Sequence, residues 1–310
     1  MGMVDVIIPV YNPDEKLKET LMMLACQTVS VGRIILVETV NDSFNLQVYL
    51  EKIGHLDVMI EIIKISRDEF DHGDSRNKGI YQSESEFFIC MTQDAVPFDN
   101  NMVEILLEPF RGEKVGATYA RQLVNDNCKL QERITREFNY PEKDRIQTVT
   151  TQDKYGIKTY FCSNVCAAYR RQYFDDIGGF DKGIILNEDM IYASKLIDNG
   201  YDIVYCSNAK VVHSHNYTCM QQFRRNFDIG VSQRMHSYIF NRFSSSSEGI
   251  KLVKATEARL KKEKAYRDIF MLYVVSGYKF LGYKLGKSYM RIPRGICKWA
   301  SMNKGFWNMR

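Results

Sequence analysis

The first hundred residues alternate between two kinds of hydrophobic periodicity, and no other feature limits the possible folds as tightly. "VDVIIPV" (4–10), "RIILVE" (33–38), "VMIEIIKI" (58–65) and "EFFICMT" (86–92) are apolar runs of strand length. Between them, "DEKLKETLMMLACQ" (14–27) places apolar residues at 17, 21, 24 and 25, the spacing of one helix face. "FNLQVYLEKI" (44–53) and "SRNKGIYQS" (75–83) read as further helices. Parallel strands need a crossover between them, so the pattern predicts βαβ units and a largely parallel sheet flanked by helices, an α/β fold. Ligands of such sheets bind at the carboxyl ends of the strands. Three of those ends carry polar groups: Tyr11-Asn12-Pro13, Glu38 and Gln93-Asp94. One acid there merely opens a turn; several converging polar ends predict a site.

Further along, "KVGATYARQLV" and "TYFCSNVCAAYRR" read as strands, Gly178-Gly179 as a turn, and a helix begins near Asn187. "YDIVYCSNAKVVHSH" (201–215) reads as two short strands, and the chain beyond about 218 as helical. The serines at 244–247, with Glu248 and Gly249, predict a break. The expected organisation is an α/β domain over 1–243 and a helical region over 250–310.

Charge separates the same two regions. Residues 251–310 hold 15 Lys and Arg against Glu257, Glu263 and Asp268, a balance of +12, which leaves −8 for residues 1–250 out of a net +4. A basic tail on an acidic body predicts an anionic partner surface. Over 278–299, Lys284, Lys287, Arg291, Arg294 and Lys298 share one helical face, and Leu281, Leu285, Tyr289, Ile292, Ile296 and Trp299 the other, with Pro293 interrupting. That pairing suits a helix lying among lipid headgroups. No nucleic-acid-binding module is visible, and no apolar run reaches the 18 to 20 residues or so that a membrane span needs. The start of the chain carries no secretory signal pattern. The eight cysteines are scattered, several within apolar strands, which suits a reducing compartment better than a disulfide framework. The expected location is cytoplasmic, peripheral on the inner face of the cell membrane.

The ordered set "VDVIIPVYN", "ILVE", "HGDSRNKG", "TQDA", "IGGFDKGIILNEDM" and "VVHSH" resembles the family-2 glycosyltransferases of GT-A fold, over roughly residues 4–240. Within that family, "FDHGDSRN" and "TQDA" are most similar to the bacterial rhamnosyltransferases of cell-surface polysaccharide assembly. Two departures stand out. The strand-two acid is Glu38 in "VETVNDSF" rather than Asp in a Gly-Ser turn, and Thr92 occupies the first position of the usual Asp-x-Asp metal motif. The resemblance implies an inverting transfer, with L-rhamnose from dTDP-β-L-rhamnose passing to a lipid-linked glycan. A UDP-hexose donor, or a catalytically silent membrane-bound scaffold, are the alternatives.

Sugar transfer needs a grip on the base, neutralisation of the leaving diphosphate, and a base for the acceptor hydroxyl. The resemblance places Pro9, Tyr11, Glu38, Arg76, Thr92, Gln93 and Asp94 around the nucleotide sugar, with Glu38 accepting the imide N–H of thymine or uracil. Arg76, beside a helix start that Asp74 or Ser75 would cap, suits a diphosphate through its charge and the free N–H groups there. Asp94 offers a carboxylate to Mg²⁺ or Mn²⁺. His213 and His215, on one side of a strand end by alternation, offer imidazoles, which favours Mn²⁺. Glu188 and Asp189 open a helix capped by Asn187, where the macrodipole stabilises ionised acids. The resemblance makes Asp189 the catalytic base and places Asn164 and Glu188 in the sugar pocket.

Overall fold

The computed structural model describes residues 4–243 and 245–308, with the side chains of 245–247 left undescribed. In chain order the elements are β1 (Val4–Val10), α1 (Glu15–Ala25), β2 (Val31–Thr39), α2 (Leu46–Ile53), β3 (Met59–Ile65), α3 (Asp74–Ile80), β4 (Phe87–Met91), β5 (Val96–Pro97), α4 (Met102–Leu107) and β6 (Val115–Leu123). There follow α5 (Leu130–Asn139), β7 (Arg145–Gln147), α6 (Gln152–Tyr155), β8 (Cys166–Arg170), α7 (Arg171–Ile177), α8 (Glu188–Asp198) and β9 (Asp202–Val212). The remainder is helical: α9 (Cys219–Met235), α10 (Ser237–Phe240), α11 (Ser245–Lys262), α12 (Tyr266–Lys287) and α13 (Arg294–Ala300), with short 3₁₀ turns between some elements.

The chain divides into two compact units, one of residues 1–123, 141–182 and 188–213, the other of 124–140, 183–187 and 214–310. The 244–249 segment, where the sequence suggests a boundary, falls inside the second. Ser244 lies outside the described residues, and α11 runs from Ser245 through Gly249 without the expected break.

In the first unit one sheet runs β3-β2-β1-β4-β8-β6-β9-β5, with β7 also on β9. β3, β2, β1 and β4 are mutually parallel, as the alternation predicts, and β8 runs antiparallel between β4 and β6. The mixed α/β sheet with flanking helices is the expected GT-A type. The core between sheet and helices holds Ile8, Leu17, Leu21, Leu36, Ile89, Met91, Met102 and Leu106, all at or near zero exposure. Asp14 and Asn45 cap α1 and α2 through their side-chain oxygens, which fixes where each helix starts. The segment read as two short strands is the single eleven-residue β9. Its register against β6 jumps between Cys206 and Lys210, and Asp144 fills the irregularity by accepting from the Ser207 N–H at 2.7 Å and hydroxyl at 2.6 Å. A local bulge explains why the pattern looked interrupted.

In the second unit α12 packs against α9 backbone to backbone. A Cβ on Gly282 would stand 2.2 Å from the Phe223 carbonyl oxygen, and one on Gly286 2.1 Å from that of Phe227. Only glycine fits there. The helix expected over 278–299 is instead the end of α12, a 3₁₀ turn at Tyr289–Arg291 and α13, which Pro293 caps. Its expected apolar face is divided. Leu285, Tyr289 and Ile292 pack on a core of Ile185, Phe227, Val231, Cys297, Phe306 and Trp307, whereas Leu281, Ile296 and Trp299 are exposed. A second exposed stripe lies on α12, where Tyr266 (70%), Phe270 (69%), Tyr273 and Phe280 follow one helical face up to Lys284. Among the described residues no helix is long and apolar enough to cross a membrane.

Candidate functional site

At the carboxyl ends of β1 and β4 the chain turns twice, and one side chain ties the turns together. The Gln93 amide accepts from the Tyr11 N–H at 2.8 Å and donates to the Tyr11 carbonyl at 3.0 Å. Pro9 lies on β1 two residues before Tyr11, whose exposed ring carries the Arg67 guanidinium 5.8 Å from its centroid. The Thr92 hydroxyl is buried and, among the described residues, has no hydrogen-bond partner. Asp94 Oδ1 stands 3.5 Å from His213 Nε2, and the other ring nitrogen of His213 is 3.3 Å from the Gln122 amide oxygen.

His213 and His215 follow the last residue of β9 rather than lying on it, so strand alternation does not set their relative direction. The peptide chain itself keeps His215 close, because two residues span about 7 Å at most. Asp94, His213 and His215 form a group of side chains that could hold a metal ion. One carboxylate and two imidazoles suit Mn²⁺ better than Mg²⁺.

Beside the end of β2, Glu38, Val40, Asn41, Asp42, Ser43, Phe44, Asn45 and Lys64 line an open cleft of about 380 Å³. Glu38 is buried, and one of its oxygens accepts the Leu46 N–H at 3.2 Å, the first residue of α2. Part of its acceptor capacity is therefore used within the fold.

The start of α3 differs from expectation. Neither Asp74 nor Ser75 caps it: Asp71 Oδ1 accepts from the Gly73 and Asp74 N–H groups at 2.9 and 2.8 Å, and the Asp71 carbonyl accepts from Ser75 N–H at 3.0 Å. Those donors are not free for an anion. Nor does Arg76 stand as an open cation. It is buried, donates to the His72 carbonyl at 2.8 Å and forms an ion pair with Glu188 at 3.1 Å.

Glu188 and Asp189 open α8, and Asn187 precedes them. It adopts a left-handed backbone (φ 70°) and its amide donates to the Ser232 hydroxyl at 3.3 Å. Asp189 meets backbone donors itself, from Met190 at 2.7 Å and Asn164 at 3.0 Å. The Asn164 side chain donates to Glu188 at 3.2 Å and accepts from the Tyr169 hydroxyl at 2.7 Å. Asn164 thus holds both acids, a role no periodicity could reveal. The two carboxyls diverge in acidity. Burial pushes Glu188 up, but Arg76, His72 and Asn164 outweigh it and hold it below the usual range. Burial and then the Glu188 charge push Asp189 up to about 7, against its two N–H donors and Arg76. The macrodipole argument for a readily ionised Asp189 is therefore overruled by its neighbours.

Sequence reasoning missed two further groups. Asn77 brackets the Phe180 backbone, donating to its carbonyl at 2.8 Å and accepting from its N–H at 3.1 Å. A Cβ on Gly73 would lie 2.1 Å from the Asp181 carbonyl oxygen. Both lie within "HGDSRN", one of the stretches on which the family resemblance rests.

Residues 5–178 match the protein family described as Glycosyl transferase family 2. The chain is 40% identical to the O-antigen chain rhamnosyltransferase WbaN of Salmonella anatum over 80% of this chain and 79% of that one. It is 33% identical to the O-antigen chain rhamnosyltransferase RfbN of Salmonella typhimurium over 98% and 96%. In fold it is similar to the mannosyltransferase PcManGT from Pyrobaculum calidifontis in complex with GDP-Man and Mn²⁺ (TM-score 0.65, 14% identity, 91% of this chain and 86% of that one). It is also similar to S. aureus TarS 1-349 in complex with UDP (TM-score 0.54, 14% identity, 94% and 91%). From its sheet, its strand-end side chains and this match across more than half its length, the chain belongs to glycosyl transferase family 2, whose members are glycosyltransferases.

Proposed function

We propose that this enzyme transfers L-rhamnose from dTDP-β-L-rhamnose to a lipid-linked glycan acceptor in O-antigen assembly, with inversion at the anomeric carbon. The observation that carries the reading is the alignment to the rhamnosyltransferase RfbN over nearly the whole length of both chains. The Glu38 cleft takes the thymine, with the free capacity of Glu38 accepting its imide N–H. Gln93 fixes the β1 and β4 ends, with Pro9, Tyr11 and Thr92, against the rest of the nucleotide. Asp94, His213 and His215 would hold Mn²⁺, which would supply positive charge to offset that of the departing diphosphate. Asp189, its carboxylate oriented by two N–H donors, removes the acceptor proton as the hydroxyl attacks. A carboxylate base that never bonds to the sugar gives one displacement and hence inversion. Asn164 and Glu188 border the sugar.

The acceptor is reached at an anionic membrane surface, to which the +12 C-terminal region is drawn. The exposed aromatic stripe of α12, ending at Lys284, supplies the face that enters the headgroups, together with Leu281.

The test is transfer with purified enzyme and an O-antigen-type lipid-linked acceptor, comparing dTDP-β-L-rhamnose with UDP-hexoses. The reading requires rhamnose transfer and an α-linked product. Transfer from a UDP-hexose alone, or a β-linked product, would displace it. No transfer with any donor, and no donor hydrolysis, would favour a binding module.

A further inference from the structure

The Arg76–Glu188 pair lies too deep to serve as an ordinary surface ion pair. Both side chains are almost wholly buried, at 7% and 6% exposure. Burying two charges is costly, and such a pair is a poor source of net stability. Its placement is informative: Glu188 is the immediate neighbour of Asp189, and the same residue, Asn164, donates to both carboxyls. Arg76 is also under-used as a binding group, because among the described residues its buried Nε has no hydrogen-bond partner. A guanidinium aimed at a diphosphate would have its donors turned towards the ligand; this one spends Nη1 on the His72 carbonyl and Glu188.

We propose that Glu188, locked in its ionised form by Arg76 and Asn164, is a positioning residue that acts through Asp189. Its fixed negative charge makes the neighbouring carboxylate a stronger proton acceptor. Arg76 serves the base by holding Glu188 charged, and does not serve the leaving group. This rests on the reading of Asp189 as the base only for its catalytic meaning; the electrostatic coupling stands or falls separately. The step it supports moves one proton, from the acceptor hydroxyl oxygen to an Asp189 oxygen, while the hydroxyl's electrons form the new C–O bond and the diphosphate leaves with the old one.

The other titratable and charged groups near Asp189 do not supply this effect. Cys90, from β4, and Cys162, ahead of β8, are buried thiols, Cys90 pushed up to about 12 by burial and Cys162 higher, so both stay neutral. Tyr169, from β8, is likewise raised well above its ordinary value by burial. Arg76, from α3, acts on Asp189 in the opposite sense. His72, which precedes α3, favours the ionised form of Glu188. Glu188 is the one neighbour among these whose charge strengthens the base.

The experiment is a carboxyl titration by carbon NMR on full-length protein labelled at Asp side chains, with the Asp189 resonance assigned by its loss in Asp189→Asn. In Glu188→Gln, which keeps the amide-to-carbonyl geometry towards Asn164 and Arg76, the Asp189 midpoint should fall by about one unit or more, the scale of a lost adjacent like charge. The acid limb of the kcat profile should move down with it. The double variant Arg76→Gln/Glu188→Gln removes both charges and avoids a stranded guanidinium. It should lower the midpoint less, because the loss of Arg76 acts in the other direction. An unmoved or raised midpoint in the folded variants overturns the inference. Full turnover by Asp189→Asn would remove the base assignment and yet leave the titration result standing, so the two failures are told apart.

Discussion

The amide of Gln93 grips the backbone of Tyr11 from both sides, accepting from its N–H and donating to its carbonyl. Two strand ends separated by 82 residues of chain are thereby fixed to one another where a nucleotide would lie. Gln93→Ala should lose both bonds, lowering stability by about 1–2 kcal/mol and raising the donor KM more than it lowers kcat. Gln93→Glu keeps an acceptor for the N–H but sets a carboxylate oxygen against the carbonyl, so it should not restore the KM. Denaturant titration and steady-state kinetics check both outcomes.

Asp189 should titrate in the working range. With its carboxyl at about 7, activity falls as pH drops below 7, because the protonated acid cannot accept a proton. Asp189→Asn should cut kcat by roughly 100-fold or more and change donor affinity little. The linkage runs the other way. Between about 4, the unfolded value, and about 7 the folded protein binds the extra proton, so this group's contribution to stability is greatest at low pH and is lost as pH rises. Asp189→Asn should remove that part of the slope in a stability-versus-pH series.

Metal dependence should show at two of the three proposed ligands in particular. Asp94→Ala and His213→Ala should each weaken dTDP-sugar binding in the presence of Mn²⁺ by roughly tenfold or more and make little difference after chelation. Calorimetric titration with and without EDTA makes the comparison. Unchanged transfer by EDTA-dialysed enzyme would remove the metal from the proposed chemistry.

Membrane attachment should follow the α12 stripe rather than the face expected over 278–299, because Leu285, Tyr289 and Ile292 are spent on internal packing. Full-length protein should co-sediment with anionic vesicles and not with neutral ones, and salt should weaken it as headgroup attraction is screened. Phe270→Glu with Phe280→Glu should release it while donor hydrolysis is unchanged. Equal binding of this variant and the parent would locate the contact elsewhere.

The α9–α12 seam predicts opposite outcomes for one substitution at two glycines of one helix. Gly286→Ala forces a methyl to 2.1 Å from a carbonyl oxygen and should cost about 2–4 kcal/mol. At Gly277 a Cβ meets nothing within 4 Å, so Gly277→Ala should stabilise by about 0.5–1 kcal/mol through helix propensity. Thermal unfolding of the two variants is sufficient.

Elements set by local periodicity were legible in advance. β1 to β4 and α1 to α3 lie within a few residues of the apolar runs that announced them, since one buried face imposes one period. The polar strand ends were legible for the same reason, because the end of a run is visible in the run. Arg76 was not. Its partner Glu188 lies 112 positions away, and no local pattern distinguishes a buried guanidinium from an exposed one. The cap of α3 was missed because Asp71 reaches across Gly73 from outside the helix, and the tail because its two faces are divided between core and solvent by partners that only the fold brings near. β9 looked like two strands because a bulge interrupts alternation without ending the ladder.

The close approach of Gly73 to Asp181, with Asn77 bracketing Phe180, makes two distant stretches of text a single heritable block. Neither can be exchanged for a relative's version alone: a larger residue at 73 displaces the 180–181 backbone, and a shifted 180–181 backbone strands the Asn77 amide. Chimaeras that take residues 71–80 from one parent and 178–182 from another should therefore fail to fold whenever the parents differ in this fit. Recombination that keeps both stretches from one parent avoids this mismatch.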